Sequence, residues 1–392
     1  MPVNVAATVD GTTLACVSRP DNIGGYFSAP STYVFYTEDD LYSASIPAAL
    51  GTSILAAPVA VPVGFFGTHR QVGKTAGRLN YAFERNHDAG AGTMWFQIHT
   101  AAGVYDWNAM DKWVDECAGR EIVFTIFGTP TWASARPTET SPYGVLGIAA
   151  EPTDMAHLAD FTTALVSRYL GRINTLEVWN EPKYIVGSSS YFSGTPAKLA
   201  EIARTIYTAA KAVDPTITII GVGATGLAKD FAPTVGDVWT NDFLAAADGA
   251  TGTGKDWIDA LSVHAYIHDN FNTLENLLHL ADTVNEIKSA NSLAMDVWVT
   301  EFGFITPTFN AYEPQEAKAN MMARYILYMI AAGYTRLIHY SYGGPIGWGG
   351  DADTDTAINA FTAAIAGKTV TVVNKLTDGS LACVADGQRL RV

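Results

Sequence analysis

Cysteine is scarce in this chain: three residues in 392, at Cys16, Cys117 and Cys383, with no Cys-x-x-Cys spacing. Three such thiols are too few for a zinc site or a disulfide framework, and buried reduced side chains are the plain expectation. Charge is also scarce, at 16% of residues, and one-sided, with 24 Lys and Arg against 39 Asp and Glu and a formal net charge of −15. No Lys/Arg cluster offsets that balance, which argues against a nucleic-acid partner. An acidic surface fits a substrate that is neutral or weakly charged. The first residues lack a basic stretch followed by a continuous apolar run, so no signal peptide is evident. The apolar region Ile46–Phe66 is interrupted by Pro47, Pro58 and Pro62, and no membrane span is expected from it.

What is abundant is apolar sequence, 48% of the residues, enough to bury a large ordered core. From residue 61 onward, short β-type runs alternate with longer stretches of helical period. The strands are expected at Val61–Gly67, Thr93–Ile98, Glu121–Phe127, the run ending at Glu181, Thr216–Val222, Ala260–His264, Asp296–Thr300 and Arg336–Ser341. Helices are expected near Thr75–Asp88, Trp107–Gly119, Ala156–Tyr169, Ala197–Val213, Leu274–Ser289, Glu316–Ala332 and Thr356–Ala366. Eight alternating units predict an α/β fold closed into a (β/α)₈ TIM barrel over residues 61–366. The ends fall outside this alternation. Thr8-Val-Asp-Gly-Thr-Thr-Leu-Ala-Cys-Val17 resembles Thr377-Asp-Gly-Ser-Leu-Ala-Cys-Val384, and Asp-Gly between β-type runs marks a hairpin. Residues 1–60 and 367–392 are therefore expected to form a small accessory β region.

Chemistry concentrates at two strand ends. Glu181 follows the apolar run Asn174–Val178 within Trp179-Asn-Glu-Pro182, and Glu301 follows Asp296–Thr300 within Glu301-Phe-Gly303. Either glutamate alone reads as an ordinary loop carboxylate. Two of them at the mouth of one barrel match the acid and the nucleophile of glycoside hydrolysis. Asn180 sits where it can bond a sugar hydroxyl. His264 and Tyr266 end another strand as His-x-Tyr. Trp348 stands in the glycine-rich Gly343–Gly350 loop, where stacking on a sugar face explains a large aromatic better than packing does. Trp132 and Tyr184 follow barrel strands and are candidates to line the site, with core roles as the alternative.

These motifs resemble clan A glycoside hydrolases. Leu176-Glu-Val-Trp-Asn-Glu-Pro182 is similar to the acid/base motif, Val297-Trp-Val-Thr-Glu-Phe-Gly303 to the nucleophile strand, and His264-Ala-Tyr266 to the strand-six His-x-Tyr. The resemblance covers about residues 61–366. It implies Glu181 as acid/base, Glu301 as nucleophile, Tyr266 as a donor to the nucleophile and Trp348 as a sugar platform. Gly103-Val-Tyr-Asp-Trp107 and Phe127-Gly-Thr-Pro-Thr-Trp-Ala133 are closest to family 39, which includes β-xylosidases and bacterial exopolysaccharide hydrolases. One departure stands out. Many clan members carry an arginine near the end of strand two, and Thr93–His99 has none; Arg70 or His99 would have to substitute.

Three other patterns resemble ligand loops and fail. Gly67–Thr75 has five residues between its glycines where a phosphate loop has four, and Gly249–Asp256 ends in Asp where a hydroxyl belongs. Asp351-Ala-Asp-Thr-Asp355 lacks the turn glycine and the bidentate glutamate of a calcium loop, since Thr356 and Thr362 stand there; a solvated loop capping the last helix is expected instead. No metal or other cofactor is expected. The resulting expectation is a retaining hydrolase of β-glycosidic bonds with an oligo- or polysaccharide substrate, cutting inside a bacterial polymer. The alternatives are an end-trimming β-xylosidase-like enzyme and a carbohydrate-binding barrel without catalysis.

Overall fold

The computed structural model describes residues 4–9, 12–17, 54–70, 73, 79–183, 185–186, 189–225, 227, 235–268, 274, 276–305, 315–342, 352–375 and 381–392. Eight parallel strands close into a barrel. In chain order they are Phe66–Arg70, Phe83–Asn86, Glu121–Ile126, Ile173–Val178, Thr218–Ala224, Ala260–His268, Val297–Ile305 and Leu337–Tyr342. Each pairs with its sequence neighbour, and the eighth closes onto the first through Leu337 opposite Phe66. Helices Asn108–Glu116, Met155–Arg168, Pro196–Val213, Val235–Ala245, Asn276–Ala290, Gln315–Ala331 and Ala352–Ile365 alternate with them. This is a (β/α)₈ TIM barrel. No helix among the described residues is long and apolar enough to cross a membrane.

Period-two alternation along the strands builds the barrel interior in layers. Phe83, Val123, Ile220, Ala260, Trp298 and Ile338 form an apolar cluster separate from the main core. The Arg336 guanidinium lies over Phe83 and Trp298, with its centre 4.6 and 5.2 Å from their rings. Two residues farther along the same strands come Arg85, Thr125 and Thr300, all buried. A greasy plug at one end thus carries a polar floor toward the other. The main core fills the space between strands and helices, for example through Leu158, Phe161 and Leu165 of one helix and Leu199, Ile202 and Ile206 of the next.

The early strands differ from the sequence expectation. The first begins at Phe66, and the second, Phe83–Asn86, lies inside the stretch expected to be helical. Thr93–Ile98, expected as strand two, contains instead a short helix at Trp95–Ile98, where the Gln97 side chain accepts from the backbone N–H groups of Gly92, Thr93 and Met94. Phe83-Glu-Arg-Asn86 carries no β-branched residue, and its charges are neutralised by distant partners, so the local sequence hides a fully buried strand. The expected solvated loop before the last helix also needs correction: that helix begins at Ala352, and Asp355 is buried within it, accepting from the Tyr342 hydroxyl at 2.8 Å.

Outside the barrel, Thr369–Lys375, Leu381–Ala385 and Gln388–Arg391 form an antiparallel sheet, joined by Val59–Ala60 from the N-terminal side. Asn4–Val9 and Thr12–Val17 pair with each other as a separate hairpin. Cys117 and Cys383 are buried free thiols.

Candidate active site

Strand four delivers Glu181 through an unusual backbone. Trp179 and Glu181 have φ of 64° and 41°, the left-handed region that costs non-glycine residues roughly 1–3 kcal/mol each. The surroundings enforce it. Trp179 is fully buried, its backbone N–H donates to the Ile126 carbonyl at 3.1 Å and its indole to the Tyr191 carbonyl at 2.9 Å. The Glu181 N–H donates to the Gly223 carbonyl at 3.2 Å. Gly223 has φ of +59°, and a β-carbon there would lie 3.2 Å from His264 Nε2 and 3.3 Å from Glu181 N, so glycine keeps strand five close to the acid.

Strands six and seven bring the partners. His264 pairs in register with Glu301. His264 Nδ1 lies 2.8 Å from Glu181 Oε1 and 3.4 Å from Glu301 Oε2. The Tyr266 hydroxyl donates to Glu301 Oε2 at 2.7 Å. Arg85 Nη1 donates to Glu301 Oε1 at 2.5 Å, while its Nη2 donates to Asn180 Oδ1 at 2.8 Å and its Nε to Glu177 Oε2 at 2.7 Å. Glu177 is fully buried and also accepts from Thr125 and Thr300, each at 2.7 Å. Glu181 and Glu301 each offer an oxygen within 4.8 Å of the other.

The two carboxyl groups are driven in opposite directions. Burial raises the pKa of Glu181, the hydrogen bond with His264 opposes this, the charge of Glu301 adds to it, and the outcome is upward. Burial would raise Glu301 as well, but His264, Arg85, His87 and the Tyr266 hydroxyl outweigh it and bring it down to about 2. The cluster of Glu181, His264 and Glu301 is also tight enough to hold a metal ion. Its donor set suits one poorly, because both Glu301 oxygens already accept hydrogen bonds and Arg85 supplies a fixed positive charge.

Of the residues singled out in the sequence, Glu181, Glu301, Asn180, His264 and Tyr266 therefore converge. Trp132 does not join them: it lies 39% exposed, with its indole donating to the His99 carbonyl at 2.8 Å. Trp348 and Tyr184 lie outside the described residues. Arg70 is no substitute for a strand-two arginine, being buried between Glu84 and Glu116 at 2.5 and 2.8 Å. His99 packs among Tyr105, Trp132 and Phe161. The arginine that appeared to be missing is Arg85, on the strand that the sequence hid.

Sequence reasoning also passed over a polar group at the ends of strands one, two and eight. Asp88 lies 3.2 Å from His69 Nε2 and accepts from the Tyr143 and Tyr340 hydroxyls, each at 3.1 Å. These donors and the charge of His87 outweigh burial and lower its pKa. His87 contacts the Tyr143 hydroxyl at 2.8 Å, and burial brings its own pKa down to about 4. The run Glu84-Arg-Asn-His-Asp88 was the available signal: five consecutive polar residues directly after a core phenylalanine, Phe83.

A closed parallel barrel presenting two carboxylates with divided pKa values at the C-terminal ends of its strands is an architecture of enzymes that cut glycosidic bonds. Residues 155–353, slightly more than half of the chain, match the family described as glycosyl hydrolase catalytic core, a stretch that includes both glutamates. The chain belongs to this family and is a glycoside hydrolase, with a glycan as its substrate. Its fold is similar to that of a glucosidase from Croceicoccus marinus, with 15% identity and a TM-score of 0.56 over 84% of this chain and 76% of that one. It is also similar to a GH39 β-xylosidase from Caulobacter crescentus, with 17% identity and a TM-score of 0.54 over 84% and 79%. SrfJ from Salmonella typhimurium aligns over 94% of both chains, with 11% identity and a TM-score of 0.56. No curated protein sequence matches this chain.

Proposed function

We propose that this glycoside hydrolase cleaves β-glycosidic bonds by double displacement with retention, Glu181 serving as acid/base and Glu301 as nucleophile. The observation that carries this reading is the pair of carboxylate oxygens within 4.8 Å of each other. Retaining enzymes hold their carboxyl groups roughly 5 Å apart, whereas inverting enzymes need roughly 6.5–9.5 Å to admit a water. The opposed pKa shifts support the same assignment.

In the first step ionised Glu301 attacks the anomeric carbon while protonated Glu181 gives its proton to the glycosidic oxygen. The C–O bond breaks with its electron pair on that oxygen, which leaves as a hydroxyl. Glu301 is now an uncharged ester, so the field that favoured protonated Glu181 is gone. Ionised Glu181 then takes a proton from water as the water oxygen attacks the same carbon, and Glu301 is released. Arg85 and Tyr266 hold the attacking oxygens in place. Asn180, with its Oδ1 engaged by Arg85, has its amide N–H groups available for a sugar hydroxyl. His264, Trp132, Trp348 and Tyr184 complete the substrate-binding set in this reading.

The favoured substrate is a bacterial polysaccharide cut internally, with the exposed Trp132 after strand three offered as part of an outer subsite. In this scheme residues 61–366 are the catalytic domain, and 1–60 and 367–392 are accessory β segments. Two experiments test the reading. Glu301→Ala abolishes turnover, and azide restores it with a glycosyl azide of inverted configuration; undiminished activity in that variant removes the nucleophile. Sizing the fragments released from a panel of plant and bacterial polysaccharides separates internal cutting, which yields a ladder of oligosaccharides, from end trimming, which yields monosaccharide alone.

A further inference from the structure

A pocket of about 370 Å³ is lined by segments that follow strands three, four and five. Glu139 comes from the loop after strand three, Lys183, Phe192 and Ser193 from the segment after strand four, and Trp239 from the helix after strand five. The pocket shares its strand-four segment with Glu181: Lys183 lies two residues beyond it, and the Phe192 N–H donates to the Pro182 carbonyl at 3.1 Å. Trp239 and Phe192 meet edge to face, with centroids 6.4 Å apart, and give the pocket an aromatic side. Serine and threonine hydroxyls provide much of the rest.

Its two charged side chains are not equivalent. Glu139 is already engaged, accepting from Arg136 Nε at 3.2 Å and from Ser193 Oγ at 2.5 Å. The Lys183 ammonium, half-buried, has no bonded acceptor among the described residues. A cation without an acceptor among the described residues is conspicuous in a chain with a formal net charge of −15. An aromatic wall, several hydroxyls and one ammonium complement a pyranose ring that carries a carboxylate. A neutral sugar would leave the ammonium without a use.

We propose that this pocket binds the leaving-group portion of the substrate and that its preferred occupant is an acidic sugar, a uronate whose carboxylate pairs with Lys183. The leaving-group assignment rests on Glu181 as the acid. The departing oxygen lies on the face opposite the nucleophile and receives its proton from Glu181, so the sugar beyond that oxygen extends toward strands three to five. The acidic-sugar preference is a property of the pocket itself and can be measured without turnover.

The test uses the full chain carrying Glu301→Ala, titrated with methyl β-D-glucuronide and methyl β-D-glucoside at low salt, read by tryptophan fluorescence and saturation-transfer NMR. The glucuronide binds about fivefold more tightly, the upper range for one partly exposed ion pair, and added salt erodes the difference. Lys183→Gln removes the preference and Lys183→Arg restores it. Trp239→Phe removes the fluorescence response, placing the ligand in this pocket. Equal affinity for the two glycosides, a preference that survives Lys183→Gln, or a response unchanged by Trp239→Phe overturns the proposal. Failure of the glucuronide arm leaves the double-displacement reading intact. Full activity of the Glu301→Ala protein on a polysaccharide would instead defeat that reading, and with it the leaving-group assignment.

Discussion

Glu181 and Glu301 are the same amino acid at the ends of two strands of one barrel, yet their surroundings make them different reagents. Among the described residues Glu181 has a single side-chain partner at bonding distance, His264 at 2.8 Å, and its backbone is held in the left-handed region. Glu301 accepts from Arg85 and from Tyr266 and has His264 within 3.4 Å. Both are buried, so desolvation pushes both upward; the number and charge of the donors decide which one yields. In the proposed mechanism the roles are therefore set as much by what surrounds each carboxylate as by the carboxylates themselves. Arg85 is central to the asymmetry because it neutralises Glu301 while remaining anchored on the buried Glu177.

The comparison can be broken most severely by removing either carboxylate. Under the proposed mechanism Glu301→Ala lowers kcat on the order of 10⁴-fold or more, because it removes the nucleophile. Glu181→Ala lowers kcat roughly 10²–10⁴-fold on substrates with a poor leaving group, and much less on 2,4-dinitrophenyl glycosides, whose leaving group needs no proton. An equal loss on both substrate types would contradict the acid role of Glu181. Arg85→Met strikes at the source of the difference. It leaves Glu177 as an unpaired buried carboxylate, a loss of about 3–5 kcal/mol in stability measured by denaturant unfolding. It also raises the pKa of Glu301. Arg85→Lys recovers part of the stability, without the forked contact to three partners.

The pH dependence sharpens the same contrast. In the proposed mechanism Glu301 acts ionised, and with its pKa down at about 2 the acid limb of kcat/KM falls only at strongly acidic pH. Glu181 acts protonated in the same scheme, and its raised pKa moves the alkaline limb upward from the ordinary glutamate range. Arg85→Met displaces the acid limb to higher pH. Tyr266→Phe makes the smallest change, removing one hydrogen bond to Glu301: kcat falls about tenfold, as expected for a bond to a charged acceptor, and the acid limb shifts up modestly. A pH profile in which Arg85→Met moves the alkaline limb alone would reverse the assignment of the two glutamates.

The candidate residues legible in the sequence were those whose chemistry conflicts with packing. A glutamate after the apolar strand Ile173–Val178, and another after the start of Val297–Ile305, have no reason to be there unless they face a cleft. Arg85 and Glu177 were not legible, although they hold the site together. They lie inside strands, and only tertiary contact shows that Arg85 is met by Glu177, Asn180 and Glu301. The strand carrying Arg85 spans only four residues and is rich in charge, while the neighbouring Trp95-Phe-Gln-Ile98 imitates a buried strand and forms a helical turn. Later elements such as Met155–Arg168 and Pro196–Val213 were clearer because their apolar period persists over several turns, whereas the helix Val235–Ala245 was not expected from the sequence. The fold was therefore readable from its long elements, and the site from its misfits, but not the charges that connect them.

The most direct test of the division between the two glutamates is covalent trapping. The protein is incubated with 2-deoxy-2-fluoro β-glycosyl fluorides of several common sugars, which slow release of the glycosyl-enzyme, and is then analysed by intact mass and peptide mapping. The predicted result is one added glycosyl unit per chain, carried on the peptide containing Glu301, and no adduct in Glu301→Ala. An adduct on Glu181, or a sugar of this set that is turned over with inversion and leaves no adduct, would contradict it.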